Sequence, residues 1–286
     1  MRISVITLVH NKLPVTRRCL SSWLGSTGAE WELIVVDNGS TDGTGDWLAE
    51  FARPAAARGV AVRAIRNSRN IGCSTARNQA IAEARGERLV FVDNDVALRS
   101  RGWLAGLDKA LEGEAGAVAV GPKLVYPFPP FDIQCAGVAI SPSGRVQFRG
   151  RGEPRTDERF GRPVEVQCLI SACCMARAAA VRTAGGFDEA FNPVQFEDFD
   201  LCYRLRAAGG RAFYVPGIEM YHFESVTTQG TSTISNASVV VRNGLCFKQR
   251  WRHVFEHEGG PPDAECKWRQ GCLPRFEQIG ELPLVE

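Results

Sequence analysis

No run of about eighteen apolar residues occurs in the sequence, so no segment reads as a membrane-spanning helix. Charge of one sign is not in excess either: 34 basic side chains face 32 acidic ones, a formal net charge of +2. Such a chain has no global field to gather nucleic acid or an acidic membrane, and no nucleic-acid partner is expected. Lysine is scarce, with five residues in 286, and none stands in a Gly-Lys-Ser/Thr loop; no Gly-x-Gly-x-x-Gly follows the first predicted strand. These absences count against P-loop kinases and dinucleotide oxidoreductases. Glycine and proline, 29 and 15 residues, are too few for a disordered or collagenous chain. The ten cysteines have no regular spacing. The apolar start Ile3–Val9 runs into His10-Asn11-Lys12 without a small-residue cleavage site and reads as a first strand, not a secretory leader. Reduced thiols in a cytoplasmic protein are therefore expected, with Cys173, Cys174 and Cys202 packing as small hydrophobes.

What is present is the composition of a folded globule, 44% hydrophobic and 23% charged, in a chain long enough for one large domain or two small ones. The first half alternates strands and helices. Strands are predicted near 2–9, 32–37, 60–66, 88–93 and 116–121, and helices near 13–25, 42–52, 73–85 and 101–112. This alternation predicts an α/β fold, a mostly parallel sheet with helices on both faces. Between 122 and 163 Pro and Gly become frequent, and short strands with hairpin-like breaks are expected. An apolar run at 164–177 precedes a helix to about 183, the loop 185–189 and a helix near 197–208. Two short strands, 211–215 and 218–222, come next. A later helix aligns Val240, Phe247, Trp251 and Val254 on one stripe.

Ligands of open α/β sheets bind beyond the carboxyl ends of the strands, where loops and helix amino termini converge. The second strand ends at Asp37 in Val36-Asp37-Asn38-Gly39-Ser40-Thr41-Asp42-Gly43-Thr44, and the fourth at Asp93-Asn94-Asp95. Two strands thus aim carboxylates at one crevice. The i, i+2 spacing in extended chain puts Asp93 and Asp95 on one side, where one can orient a ribose hydroxyl and the other bind a hard divalent cation. Capping of the next helix, or a turn, would use the same residue types.

With Val5–Asn11, Val36–Thr44, Asn70-Ile71-Gly72-Cys73-Ser74-Thr75-Ala76-Arg77-Asn78, Asp93-Asn94-Asp95, Gly185-Gly186-Phe187-Asp188-Glu189, Glu197-Asp198-Phe199-Asp200-Leu201 and Tyr221-His222 in this order, the chain resembles the family 2 glycosyltransferases of the GT-A fold over about residues 1–255. The resemblance implies an inverting transfer from a nucleoside diphosphate sugar. It puts the backbone near Leu8 and the side chain of Asp37 at the base, Asp93 near the ribose, and Asn70, Arg77, Asn94 and Glu197 along the donor. It implies Mg²⁺ or Mn²⁺ on Asp95 and His222, and Asp198 as the general base that deprotonates the acceptor hydroxyl. Arg77 could equally pair with a carboxylate. Where many relatives carry Gly-Ala-Cys this chain has Ser171-Ala172-Cys173, a departure on the acceptor side.

The expected organisation is a catalytic domain over 1–222, split into a nucleotide half (1–121) and an acceptor half (122–222). A lid loop with a carboxyl-terminal helix would cover 223–258, and an irregular tail 259–286. No acid lies between Glu224 and Glu256, while Arg242, Lys248, Arg250 and Arg252 accumulate, which suggests a peripheral contact with anionic lipid at the inner face of a membrane through 242–252. His253, His257, Cys266 and Cys272 match no compact zinc-finger spacing. The acceptor is left as a glycan, a lipid-linked saccharide or a protein, within envelope polysaccharide assembly. A sugar-phosphate nucleotidyltransferase and a silent carbohydrate-binding or scaffold protein are the alternatives.

Overall fold

A computed structural model describes residues 2–224, 237–266 and 273–286. The amino-terminal half follows the predicted alternation: β1 (Ile3–Val9), α1 (Leu13–Trp23), β2 (Trp31–Asp37), α2 (Thr44–Ala56), β3 (Ala61–Arg66), α3 (Cys73–Glu83), β4 (Arg88–Val92), β5 (Val96–Leu98) and α4 (Trp103–Gly113). Then come β6 (Ala117–Val125), the short strands β7 (Ile133–Cys135), β8 (Val138–Ile140), β9 (Val146–Phe148) and β10 (Val164–Val166), β11 (Cys173–Arg177), α5 (Ala178–Thr183), α6 (Glu197–Ala207), β12 (Arg211–His222) and α7 (Ala237–Phe255).

The sheet runs β10-β12-β6-β11-β4-β1-β2-β3, with β5 and β7 added on β12 and β6. Along this path only β11 and β10 run against the other strands. The sheet is therefore mostly parallel, as the alternation predicts, with helices packed around it. Its centre is made by strands apolar on both sides: Leu33, Ile34, Val35 and Val36 of β2 and Leu89 and Val90 of β4 are fully buried. In-register pairing of β1 with β2, Val9 opposite Asp37, brings both strand ends to one rim.

Two readings differ from the outcome. Pro216-Gly217 suggests a break between two strands, yet β12 continues through it with a register shift between Val215 and Glu219, because both flanks pair with β6. On α7, Phe247 and Trp251 are buried as expected, but Val240 is exposed; the inward stripe is Asn243, Gly244, Phe247, Trp251 and Phe255. Spacing by four along a helix drifts from an apolar pattern when a polar residue has partners in the core. The tail is anchored over its last residues: Tyr221 Oη donates to Pro283 O at 2.7 Å, and Val285 exchanges backbone hydrogen bonds with Arg99 and Arg101. Among the described residues no helix is long and apolar enough to cross a membrane.

Candidate functional site

An open cavity of about 270 Å³ lies at the carboxyl ends of β1 and β4. Its lining includes Leu8, Asn38, Asn70, Arg77, Asp93, Asn94, Asp95, Glu197, Asp198 and His222, so one space gathers nine of the ten residues singled out from the sequence, together with Asn38. The tenth, Asp37, is sealed beneath the wall. Its Oδ1 accepts the Ser40 N–H at 2.8 Å, and its Oδ2 has no hydrogen bond, with Arg66 Nε 3.8 Å away. The neighbour Asn38 faces the cavity: its amide donates to Asn70 Oδ1 (2.8 Å) and its carbonyl accepts from Asn67 Nδ2 and Ile71 N. Gly39 permits this close approach, since its φ is +84° and a Cβ there would lie 2.7 Å from the Arg69 backbone.

At the end of β4 the chain turns, with Val96 N–H donating to Asp93 O. Asp93 and Asp95 are thus gathered by a turn and not by the extended spacing expected. His222, the last residue of β12, meets them because it pairs with Val96 across the β12–β5 ladder. One potential ligand atom from each of Asp93, Asp95 and His222 lies within 4.8 Å of the others. His222 Nε2 is 3.5 Å from Asp95 Oδ1, and its Nδ1 is 3.2 Å from Gln134 Oε1. Burial works against the His222 imidazolium, but the Asp95 carboxylate, with Glu224 and Asp93, outweighs it and raises the pKa above 6.5. Burial and the charge of Asp95 push Asp93 up to about 6 against the pull of Arg77. The amide of Asn94 is turned away, onto Thr16 Oγ1 at 2.7 Å.

Arg77, from α3, is shared by two carboxylates: Nη1 to Glu197 Oε1 at 2.7 Å and Nη2 to Asp93 Oδ1 at 3.0 Å. The alternative of a carboxylate pair is the arrangement found. Its guanidinium also lies over the Phe187 ring, which belongs to the Gly-Gly-Phe-Asp-Glu motif. Cys73 lines the cavity as a protonated thiol, held so by burial and by the Glu197 charge.

Asp198 sits in the first turn of α6. Its Oδ2 accepts the Ser171 N–H at 3.1 Å and its Oδ1 its neighbour's, Phe199 N–H, at 2.9 Å. Burial, then the charge of Glu197, push its pKa up to about 7 despite these two donors and Arg77. A carboxylate at such a value is poised to take a proton near neutrality. The departure at Ser171 therefore contributes backbone to the site. Asp200 faces the other way, with Arg250 Nη1 and Trp251 Nε1 on Oδ1 at 2.7 and 2.9 Å and Arg204 on Oδ2.

The loop before Asp198 is tied from two sides. Gly72 has φ +88°, and its Cα faces the Asn192 amide so closely that a Cβ would lie 2.2 Å from Oδ1. Asn192 accepts the Ser74 N–H and donates to Thr75 Oγ1, serving α3 as the cap its own sequence lacks. From α7, buried Asn243 Nδ2 donates to the carbonyls of Phe191, Val194 and Gln195 at 2.7, 2.8 and 3.1 Å.

Sequence reasoning missed Asn192, Asn243, Gln134 and the buried Arg151–Glu224 pair (2.8 Å), of which Glu224 and Gln134 line the cavity. None carries a local signal, because each acts on a partner far along the chain. The basic segment of α7 is largely engaged: Arg250 faces Asp188 and Asp200, Arg252 pairs with Glu256, and Arg242 donates to Asn192 O. The expected lid, 225–235, and Cys272 lie outside the described residues.

Comparison with known proteins agrees with this geometry. The family model described as Glycosyl transferase family 2 matches residues 4–183. An uncharacterized protein, y4gI, of Sinorhizobium fredii is 31% identical over 88% of this chain and 28% of its own length. The O-antigen biosynthesis protein RfbC of Myxococcus xanthus is 29% identical over 79% of this chain and 18% of its own length. The chain thus spans less than a third of these two relatives. An N-acetylglucosaminyl-diphospho-decaprenol L-rhamnosyltransferase of Mycobacterium tuberculosis is 30% identical, with 79% of this chain and 77% of that protein covered. Among solved structures, the crystal structure of GalNAc-T7 with UDP, GalNAc and Mn²⁺ superposes with a TM-score of 0.69 at 18% identity, over 88% of this chain and 48% of that one, which shows a shared GT-A fold.

Proposed function

The chain belongs to glycosyl transferase family 2, and from that membership we propose a metal-dependent, inverting transfer of a sugar from a nucleoside diphosphate sugar to an acceptor hydroxyl, in the assembly of a cell-surface polysaccharide or glycoconjugate. The observation that carries this reading is the charge of the cavity. Asp93, Asp95, Glu197, Asp198 and Glu224 line it against one arginine, and that arginine is already shared by two of them. Residues 225–236, next in the chain, contain no Lys or Arg. A diphosphate entering such a space is repelled unless a cation reverses the local sign. Asp93, Asp95 and His222 offer hard oxygens and one imidazole nitrogen within 4.8 Å, a donor set that suits Mg²⁺ or Mn²⁺. When bound, the ion would supply positive charge against the departing diphosphate.

The protein's own part is proton transfer and orientation. One backbone N–H on each Asp198 oxygen fixes the carboxylate and leaves lone pairs for an acceptor hydroxyl. Asp198 takes the hydroxyl proton as that oxygen bonds to the anomeric carbon, opposite the bond to the diphosphate, which breaks. Arg77 holds Asp93 and Glu197 in place. Leu8, Asn38 and Asn70 are assigned to the nucleoside. The relative that acts on N-acetylglucosaminyl-diphospho-decaprenol makes a lipid-linked saccharide the first acceptor to try. Exposed Val241 and Leu245 of α7 are the surface assigned to the membrane contact such an acceptor requires.

The test is thermal shift of the purified chain against nucleoside diphosphates with and without Mn²⁺, followed by NMR of the product formed from the matching sugar nucleotide. A Mn²⁺-dependent stabilisation by one nucleotide, lost in Asp95→Ala, with an inverted anomeric centre, is expected. Nucleotide binding indifferent to the ion would overturn the metal dependence, and a retained anomeric configuration the role given to Asp198. Binding of glycans alone would point to a silent binder.

A further inference from the structure

Gln134 belongs to β7, in the proline- and glycine-rich stretch, and is fully buried although it borders the cavity. Pairing of β7 with β6, Leu124 opposite Cys135, fixes the strand that carries it. Only one end of its amide is used: Oε1 faces His222 Nδ1 at 3.2 Å, while buried Nε2 has no hydrogen-bond partner. Leaving a buried donor unsatisfied is costly, and an apolar side chain of the same shape would avoid the cost. The amide's use is therefore at His222.

An imidazole ligates through the nitrogen that does not carry its proton, and the hydrogen bond of the other nitrogen decides which that is. A carbonyl oxygen can only accept. Of the two neutral forms, Oε1 opposite Nδ1 selects the one with the proton on Nδ1, whose lone pair is on Nε2. Nε2 is the atom that looks toward Asp95 Oδ1 at 3.5 Å, beside Asp93. The opposite amide rotamer would donate to Nδ1 and put the proton on Nε2, where it would block ligation.

We propose that Gln134 is a positioning residue of the cation site: its Oε1 holds His222 as the Nδ1–H tautomer, with Nε2 presented to a divalent cation shared with Asp93 and Asp95. The inference rests on the reading of these three residues as a cation site, and the experiment separates the two. Binding of Mn²⁺ alone to the full chain is followed through the electron paramagnetic resonance signal of the free ion. Wild type is compared with Gln134→Leu, Gln134→Glu, His222→Ala and the Gln134→Leu/His222→Ala double variant, each checked for an unchanged melting transition. Gln134→Leu should weaken Mn²⁺ binding about 10- to 100-fold. Gln134→Glu should retain wild-type affinity, because a carboxylate also accepts from Nδ1–H. The double variant should bind no more weakly than His222→Ala, since Gln134 acts only through the imidazole.

A Gln134→Leu protein that binds as wild type overturns the proposal, as does a further loss on the His222→Ala background. Should Gln134→Leu not fold, Gln134→Glu decides alone: a carboxylate cannot donate, so a lost affinity there would show that the amide had been a donor to Nδ1. A wild type that binds no Mn²⁺ overturns the cation reading on which the proposal rests.

Discussion

Titrating the reaction between pH 5 and 9 tests the base directly. Asp198 takes a proton only when it is ionised, and burial with the adjacent Glu197 charge sets its pKa at about 7. With one ionisation the active fraction is about one tenth at pH 6, one half at pH 7 and nine tenths at pH 8. Initial rates at saturating donor and Mn²⁺ should therefore rise about tenfold from pH 6 to pH 8, the limb approaching a slope of about 1 on a logarithmic scale only below pH 6. Asp198→Asn keeps the shape but only one of the two backbone contacts, because its amide nitrogen cannot accept an N–H, and it cannot take the proton; its rate should fall about 10²- to 10⁴-fold and lose this limb. Stability should move the opposite way. A carboxyl whose pKa is raised in the folded protein contributes stability fully below its ordinary value of 3.8, and that contribution is lost as pH rises through about 7. The melting temperature of Asp198→Asn relative to wild type should thus rise between about pH 4 and pH 7, on top of a pH-independent cost for the backbone contact that the amide cannot accept. A flat rate between pH 6 and 8, or a melting difference between variant and wild type that stays constant from pH 4 to pH 8, would refute the assignment.

Three more outcomes follow from named contacts. Chelation with EDTA should abolish transfer and Mn²⁺ restore it, while Asp95→Asn should need much higher Mn²⁺ for half-maximal rate, read from a metal titration; activity unaffected by chelation would count against the cation site. Asn243→Ala removes the donor that three loop carbonyls share, and a loss of about 1–3 kcal/mol in melting, with kcat reduced more than donor KM, is expected from denaturation and steady-state kinetics. Asp200→Ala leaves Arg204, Arg250 and Trp251 without their common acceptor; it should destabilise the fold by about 3 kcal/mol in urea unfolding, and a stability within error of wild type would show that α7 is held by its apolar contacts alone.

The amino-terminal half was legible because its information is local. The run Trp31–Asp37 is buried at every position, and its apolar stretch Leu33–Val36 ending in a carboxylate announced the strand and where it ends. The motif order then named Asp93, Asp95, Asp198 and His222, which the fold brings into one cavity. Partnership was not legible. Gln134 acts on a residue 88 positions away, Asn192 on one 118 away and Asn243 on one 52 away. Hydrophobic periodicity misplaced the inward stripe of α7 for the same reason: it scores Asn243 as a surface residue, while the loop carbonyls make it a core one. The Asp37 carboxylate, at the predicted strand end, is held by the Ser40 N–H and is not among the residues that line the cavity.

These distant partners bear on why the base stands where it does. Gln195 and Phe196 have φ of +83° and +71°, and two successive residues with side chains in the left-handed region cost about 1–3 kcal/mol each. Nothing within the loop offsets that. It is offset from outside, by Asn192 on the start of α3, by Asn243 from α7, and by the Phe196 ring packed against Phe199 and Phe247. The left-handed pair lets the chain turn sharply into α6, so that Glu197 meets Arg77 and Asp198 meets the Ser171 N–H in the first helical turn. The Arg77 ion pair ties the same turn to Asp93, one of the three residues of the cation cluster. Asp198, proposed as the base, and the Asp93, Asp95 and His222 cluster are therefore positioned by one connected set of contacts, and α7 is part of what holds the Asp198 turn in place.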